Sequence, residues 1–589
     1  MKSFNLIAPF EKFAEEKLNT VPPRRLYPRL LAALILLGFL PLLIPGIPNG
    51  HDCMYHLSRL VTLREGFRAG MVLPVINYAS MEGFGYGPGL FYSDLFFYPF
   101  GLLAFAGVPI VVAYKLFLVI WGLMTAFSMY WVAKRISGDD FTAFAASLLY
   151  CWSSYHAVDT IIRAACGEYQ AFFFVPWCIY GFWNILYDEP SKRSCLPLAF
   201  GYAGLFYAHS ITFVLMVLIG TLITVFSLPV LLRDIRRIGT LFCAGCLAAG
   251  LAAFAYVPLL EQILSLKFNL TKGTISSPVA DRMTPFPRLF VELPFMKMEY
   301  WVPPGIGIIF VIVFLQRFRI KSERTPTERF RDLCMVTGAS ALVCATEFLP
   351  WQGMMRAIAA IQFPWRLYLP ATAFGALGGG LLLGKLLSGR STSMRRTWLW
   401  ILLCGCGFPW WFLHAYLYAA KISEHELHRD ITMERAARSI LSGVHFLPQR
   451  HTNDEYDGLG GKAPITSDNP DAKTEVTFPS WGKLEVTFSG FSPGDEFEIP
   501  RIYYKGYCVE TEEGGVIDMS QHDHFRFRPN ASSGKAVVVY RLTKLHKASF
   551  AVSLLTLAGT LFAIWFTRRK QRRKQAEASG SASAATSAG

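Results

Sequence analysis

Residues 109–133, PIVVAYKLFLVIWGLMTAFSMYWVA, form an apolar run that ends at the basic pair Lys134 and Arg135. About 20 mostly apolar residues in a helix are enough to cross the hydrocarbon core of a bilayer. The run therefore predicts a membrane-spanning helix. Its basic end indicates the cytoplasmic side, because cytoplasmic loops are enriched in Lys and Arg.

Similar runs recur along the whole chain and predict a polytopic α-helical membrane protein with about 12 transmembrane helices. Of the 589 residues, 53% are hydrophobic and 17% are charged, whereas soluble domains carry roughly a quarter of charged residues. This composition excludes a soluble enzyme, a disordered protein and a disulfide scaffold. The predicted spans are 30–48, 109–133, 141–160, 169–187, 196–211, 213–232, 238–258, 302–317, 332–349, 366–387, 397–419 and 548–566.

The distribution of basic residues sets the predicted orientation. With the N-terminal segment 1–29 in the cytoplasm, every inside segment is basic, including the tail 567–589, whose low-complexity end EASGSASAATSAG is predicted to be disordered. The net charge of +15 is thus carried by cytoplasmic loops and the tail. This pattern predicts a multi-pass membrane protein with both termini inside, and it excludes nucleic acid as a partner.

Three predicted outer segments are long, 49–108, 259–301 and 420–547, and two of them carry structural signals beyond the spans of the transmembrane domain 30–419. The first outer loop, 49–108, contains the apolar stretch 89–107. We interpret it as re-entrant or interfacial, because counting it as a span would reverse every later loop. The second, 420–547, begins with a polar helical stretch and continues with strand-like runs separated by Gly, Pro and Asp. These runs predict a small extracytoplasmic antiparallel β-sandwich before the last helix, 548–566.

The first outer loop also carries the first candidate for catalysis, in the run NGHDCMYHLSRL. Asp52 lies where span one leaves the membrane, and His56 lies on the same helical face, four residues later. A carboxylate at the water–lipid boundary can accept a proton from a hydroxyl or hold a divalent cation. The alternative is that Asp52 simply caps the helix. His51 and His56 are candidate substrate contacts beside it.

Three other outer motifs contribute candidate binding residues, and each has a structural alternative. In RAACGEYQAFFFVP, Arg163 and Glu168 form either a structural ion pair or one arm of a polar site. In IQFPWRLYLP, Gln362 and Arg366 enter span ten from outside. An Arg there either snorkels to the headgroups or binds a lipid phosphate. His209 in FYAHSITF is either a structural residue or a ligand contact.

The predicted topology places these motifs at one membrane depth. Asp52, Arg163, Glu168, His209 and Arg366 belong to five separate segments, yet all are predicted to lie at the outer face. Ionisable side chains near the bilayer are costly and mark functional sites. We therefore expect them to share one cavity that needs a carboxylate and cations.

These same motifs resemble a known family. GHDCMYHLSRLVTLREGFRAGMVLP, FGYGPGLFYSDLFFYP, RAACGEYQAFFFVP, YAHSIT, IQFPWRLYLP and the C-terminal IPRIYYKGYCV are similar to bacterial polytopic membrane proteins labelled 6-pyruvoyl-tetrahydropterin synthase-related, which belong with the GT-C-type membrane glycosyltransferases. The resemblance covers most of the chain, from the first span to the last. It implies a GT-C-like fold, a catalytic acid in the first outer loop and a polyprenyl-phosphate sugar donor.

Carried onto this sequence, the resemblance implies that Asp52 is the general base and that Arg366 or Arg163 holds the donor phosphate. The acceptor would be an envelope glycan or protein outside the cytoplasm. Asp52 stands alone where such enzymes have an acidic pair, so use of a divalent cation stays open. The sequence contains no compact triad of His residues, so neither zinc nor pterin chemistry is carried over.

Two functions without catalysis remain as alternatives. One is a transporter of lipid-linked glycans, in which the same residues line a path. The other is a scaffold for envelope assembly. Transporters tend to place ionisable groups near the bilayer midplane. The candidates here gather at the outer edge, which favours the glycosyltransferase.

Overall fold

A computed structural model describes residues 22–47, 50–269, 283–290, 307–351, 361, 363–407, 447, 467–518 and 524–586, apart from 192, 322 and 391. Within these residues the structure is mostly helical. The α-helices are α1 (Pro23–Gly38), α2 (Cys53–Arg68), α3 (Tyr98–Phe105), α4 (Ile110–Ser137), α5 (Asp140–Cys151), α6 (Ser154–Ile161), α7 (Cys166–Leu186), α8 (Leu196–Ala208), α9 (Ser210–Phe226), α10 (Leu228–Arg233), α11 (Ile235–Ser265), α12 (Ile308–Leu315), α13 (Pro326–Cys344), α14 (Tyr368–Leu387), α15 (Thr392–Leu402) and α16 (Lys544–Thr586).

Several of these helices are strongly apolar. In the part of the chain that the structure describes, 4 helical segments are long and apolar enough to cross a membrane: Ile110–Ser137, Ile235–Ser265, Pro364–Leu387 and Lys544–Lys570. Shorter apolar helices accompany them. The structure thus has the apolar helices of a membrane protein, but the predicted count of about 12 spans is not confirmed.

Some predicted spans differ from the observed helices for local reasons. The predicted span 141–160 is broken between α5 and α6, because the Ser153 side chain accepts a hydrogen bond from His156 N at 3.3 Å and starts a new helix. The stretch 89–107 forms short 3-10 turns and α3, which is too short to span. At the other end, α16 continues to Thr586, through residues predicted to be disordered. Ala, Glu, Gln, Lys and Arg in that tail are good helix formers.

The helix bundle is packed through small residues. Helix α14 packs against α5 and α13. A Cβ on Gly380 would lie 2.6 Å from Ala146 Cβ, and one on Gly338 would lie 2.9 Å from Gly375 N. Glycine at these positions lets the helix backbones approach closely, as is common in membrane proteins.

Seven strands near the C-terminus form the predicted small sheet domain. The strands are β1 (Lys473–Ser480), β2 (Lys483–Ser489), β3 (Phe497–Ile502), β4 (Tyr507–Glu510), β5 (Gly515–Asp518), β6 (His524–Pro529) and β7 (Ser533–Tyr540). One antiparallel sheet has the order β1-β2-β7-β4 and the other β3-β6-β5. Leu484 and Val538 of the first sheet and Phe497 and Phe527 of the second share one buried core. The short strand β5 was not predicted. The polar helical stretch that was predicted at the start of the segment 420–547 lies outside the described residues.

The sheet domain is docked onto the first outer loop. Ile502 N donates to Phe84 O at 3.0 Å, and Arg501 Nη1 donates to Gly83 O at 2.6 Å. On the other side, Gln262 at the end of α11 exchanges two hydrogen bonds with the backbone of Lys505, at 2.8 and 3.0 Å. The outer loop is therefore held between the sheet domain and the helix ends.

Candidate functional site

Arg163 and Glu168 form the centre of a buried polar cluster. Arg163 Nη1 donates to Glu168 Oε2 at 2.7 Å, to Tyr155 Oη at 2.9 Å and to Asp159 Oδ1. Tyr155 Oη donates in turn to Glu168 Oε1 at 2.6 Å. The Asp159 and Glu168 side chains are fully buried. The Arg163 guanidinium is thus engaged by two carboxylates, as an ion pair in a low-dielectric interior requires.

The local backbone makes this pairing possible. Ala164 has a φ of +48°, an uncommon value for a residue with a Cβ. This left-handed residue turns the chain between α6 and α7, and Ala165 N then donates back to Asp159 O at 3.1 Å. The turn brings Arg163 at the end of one helix and Glu168 at the start of the next to the same point.

Arg366 approaches the same carboxylate from another part of the chain. Its Nε lies 3.9 Å from Glu168 Oε2, and its Nη1 donates to Ile361 O at 3.1 Å. Its Nε has no hydrogen-bond partner among the described residues. Since a guanidinium has five N–H donors, Arg366 is less completely engaged than Arg163.

Asp52 lies at the N-cap position of α2, but its side chain makes no capping hydrogen bond. Its backbone N donates to Arg163 O at 2.8 Å, and His51 N donates to Ile162 O at 2.9 Å. These two bonds fix the half-buried Asp52 beside the polar cluster. The Asp52 carboxylate therefore does not cap α2, which was the structural alternative that the sequence left open.

His56 and His209 border the cluster. His56 Nε2 accepts a hydrogen bond from Cys166 N at 3.2 Å, at the start of α7. Burial, together with the nearby Arg59 and His209, holds the pKa of His56 well below its usual value, so the ring is neutral and able to accept. His209 caps α9 by accepting from Thr212 N at 3.3 Å. The residue before it, Ala208, is close to the cluster, since a Cβ on Gly167 would lie 2.6 Å from Ala208 O.

A second ion pair links α2 to a later part of the first outer loop. Arg59 Nε donates to Asp94 Oδ1 at 2.6 Å, and Arg59 Nη2 donates to Ser93 O at 2.7 Å. The guanidinium lies 4.5 Å from the ring centre of Tyr92 and 4.6 Å from that of Phe97. Desolvated stacking of this kind strengthens the attraction between a cation and an aromatic ring.

The structure brings together five of the predicted residues: Asp52, Arg163, Glu168, His209 and Arg366. His51 is exposed beside them, and Gln362 lies outside the described residues. Sequence reasoning missed Asp159, Tyr155 and Asp94. Asp159 had a detectable signal, since it is a carboxylate in an apolar run, four residues before Arg163. Within the described ranges, no group of three or more His, Cys, Asp or Glu is arranged to hold a metal ion.

Gly167 allows the outer loop to close over the cluster. A Cβ there would lie 1.4 Å from Tyr92 Oη and 2.6 Å from Ala208 O. We expect Gly167→Ala to destabilise the protein by about 1–3 kcal/mol, because the loop and the α8 backbone must both move. Thermal unfolding in detergent measures this. Gly245→Ala is the matched control, since a Cβ there meets nothing within 4 Å, and an equal effect of both variants would contradict the prediction.

Comparisons with known proteins show remote similarity. No family model matches the chain. An uncharacterized protein of Lactococcus lactis subsp. cremoris is 23% identical over 314 residues, which are 51% of this chain and 50% of that protein. The chain therefore spans about half the length of this curated relative.

Among solved structures, the chain is similar to the archaeal oligosaccharyltransferase AglB from Archaeoglobus fulgidus, in complex with an inhibitory peptide and a dolichol-phosphate. The TM-score is 0.42 and the identity 10%, over 67% of this chain and 56% of that one. It is also similar to the mycobacterial arabinofuranosyltransferase AftD, with a TM-score of 0.37 and 14% identity over 69% of this chain and 27% of that one. Because these likenesses are remote, the function has to be supported by the chain's own residues.

Proposed function

We propose that this protein is a membrane glycosyltransferase that moves a sugar from a polyprenyl-phosphate donor to an envelope glycan or protein outside the cytoplasm. One observation carries the proposal. Asp52, whose side chain makes no capping bond, is joined through its backbone N to Arg163 O, next to a cluster in which Glu168 pairs with Arg163 and lies 3.9 Å from Arg366. A bilayer protein has little reason to assemble such a group except for function.

In the proposed reaction, Asp52 is the general base. It takes the proton from the acceptor hydroxyl as the oxygen forms a bond to the anomeric carbon of the sugar. The bond between that carbon and the donor phosphate breaks, and its electron pair leaves with the phosphate. A fixed cation stabilises this departing charge. The three histidines are proposed to contact the substrate, with His51 and His56 on one side of it and His209 on its opposite side.

We assign the phosphate contact to Arg366 rather than to Arg163. Arg163 already donates to two carboxylates and a tyrosine. Arg366 is 3.9 Å from its nearest carboxylate and keeps an Nε without a hydrogen-bond partner among the described residues. Glu168 then holds both arginines in place. Gln362, four residues before Arg366 in the sequence, is proposed to help bind the same group.

The proposed reaction takes place at the outer face of the membrane. The protein would be a multi-pass protein of the bacterial cell membrane with both termini in the cytoplasm. The transmembrane domain would cover 30–419, and the outer sheet domain would lie within 420–547. Comparing lipid-linked and envelope glycans of wild-type and deletion cells tests the activity. A deletion strain with unchanged glycans would overturn it, and accumulation of lipid-linked glycan on the cytoplasmic side would favour a transporter instead.

Arg366→Ala is expected to weaken binding of the polyprenyl-phosphate donor by about 10- to 100-fold. This factor corresponds to the free energy of one hydrogen bond to a charged group. Arg366→Lys keeps the charge but loses the planar fork, so it should recover only part of the affinity. Donor titration of the purified protein in lipid nanodiscs measures both. An unchanged donor affinity in Arg366→Ala would refute the assignment of the phosphate contact.

A further inference from the structure

A cavity of about 130 Å³ lies between the first outer loop, the outer part of α11 and the start of α16. None of the residues of the Asp52–Arg163–Arg366 cluster lines it. It is connected to that cluster through the outer loop, because Asp94 lines the cavity and pairs with Arg59. The cavity is thus a separate feature of the outer face.

Most of the cavity wall is apolar and aromatic. Phe91, Tyr92 and Tyr98 line it from the outer loop, Phe254 from α11 and Phe550 from α16. Flat aromatic faces pack well against the C–H faces of a small ring. A wall of this kind around a few polar groups is typical of small-molecule sites.

Two polar groups in the wall have no hydrogen-bond partner in the described part of the chain. Asp94 uses Oδ1 for Arg59 at 2.6 Å, and its Oδ2 accepts no bond from any described residue. His546 is 4% exposed. Its backbone N donates to Thr543 Oγ1 at 3.0 Å, while its ring stands 5.3 Å from the ring of Phe254 and makes no hydrogen bond to a described residue. Asp94 Oδ2 and the His546 ring nitrogens are therefore available to hydrogen-bond a molecule that enters the cavity.

The walls are held in place without a ligand. Thr543 Oγ1 donates to Glu261 Oε2 at 2.6 Å, and Phe254 N donates to Ser553 Oγ at 3.0 Å. A Cβ on Gly250 would lie 2.7 Å from Thr556 Oγ1, so α11 and α16 are in close contact just below the cavity. A cavity between fixed helices is preformed for its ligand.

We propose that this cavity binds one neutral sugar ring, with Asp94 Oδ2 and the His546 imidazole as the partners of its hydroxyl groups. A phosphate or carboxylate would meet the Asp94 carboxylate, and an alkyl chain would leave both polar groups unsatisfied. The choice of a sugar among neutral hydroxylated rings rests on the proposed glycosyltransferase function. The ring belongs either to a soluble acceptor glycan or to the sugar headgroup of a membrane glycolipid.

The direct test is binding of methyl glucoside, methyl galactoside and methyl mannoside to the full chain in nanodiscs that contain no glycolipid. Saturation-transfer NMR and calorimetric titration both report this binding. His546→Phe keeps the ring contact but removes the polar atoms, and Ala255→Leu fills the cavity without touching them. Each variant is expected to weaken binding by about tenfold. Leu555→Ala on the lipid-exposed side of α16, where Leu555 is 72% exposed, is the matched control.

Binding that is equal in wild type, His546→Phe and Ala255→Leu would overturn the proposal. So would the absence of glycoside binding in wild type, which would mean that the cavity holds only water. A second titration, with a polyprenyl-phosphate sugar in the nanodisc as competitor, separates the two sources of the ring. Asp52→Asn is expected to bind the glycosides normally. If glycosides bind but no sugar is ever transferred, the proposed enzyme function fails while the sugar site stands.

Discussion

Asp52→Asn is expected to reduce sugar transfer by about 10²- to 10⁴-fold, the usual contribution of a general base. The amide cannot accept the proton of the acceptor hydroxyl. Asn is as good an N-cap residue as Asp, and the observed carboxylate makes no capping bond, so α2 should remain intact. The measurement is transfer of labelled sugar from the polyprenyl-phosphate donor in membranes, with donor affinity measured alongside.

The matched control for this substitution is Glu65→Gln on the same helix. Glu65 pairs with Arg64 and Arg68 near the surface. These ion pairs do not involve Arg163 or Glu168. The Glu65→Gln substitution should leave the rate of sugar transfer nearly unchanged. If Asp52→Asn transferred sugar at the wild-type rate, Asp52 would not be the base. If the Asp52→Glu variant transferred sugar at the wild-type rate, a role of residue 52 in proton transfer would be favoured over a role in packing.

Much of the site was predictable because charge is rare in this chain. Only 17% of the residues are charged, so an ionisable residue at the end of an apolar run stands out. Asp52, Arg163, Glu168 and Arg366 were all selected in this way, and the structure places them together. What the sequence left open was their pairing. Arg163 and Glu168 are five residues apart, but it is the left-handed Ala164 that lets them meet.

Other features depend on contacts that no local pattern encodes. Asp94 is important only because Arg59, 35 residues earlier, reaches it across the loop. His546 becomes part of a cavity because α16 returns to pack against α11 near Phe254. The helix ends were also hard to predict, since a hydropathy run does not reveal a break such as that between α5 and α6. Local propensity and long-range packing therefore explain different parts of the molecule.

Arg163→Ala is expected to destabilise the protein by about 3–5 kcal/mol, the largest effect on stability that we predict. The substitution removes the cation that lies between two fully buried carboxylates, Asp159 and Glu168. Breaking a buried ion pair costs this much because the remaining charge has no compensation. Arg366, at 3.9 Å from Glu168, can offset only part of the loss. Thermal or denaturant-induced unfolding of the purified protein measures the change.

Arg68→Ala provides the comparison, because Arg68 pairs with Glu65 at 3.0 Å but its side chain is 52% exposed. Exposed pairs contribute little to stability, so this variant should unfold almost as wild type does. Glu168→Gln adds a second test, since it keeps the shape of the side chain but leaves Arg163 with one carboxylate. The stability of Glu168→Gln should lie between that of Arg163→Ala and that of Arg68→Ala. If Arg163→Ala and Arg68→Ala unfolded alike, Arg163 would not be the cation that holds the cluster together.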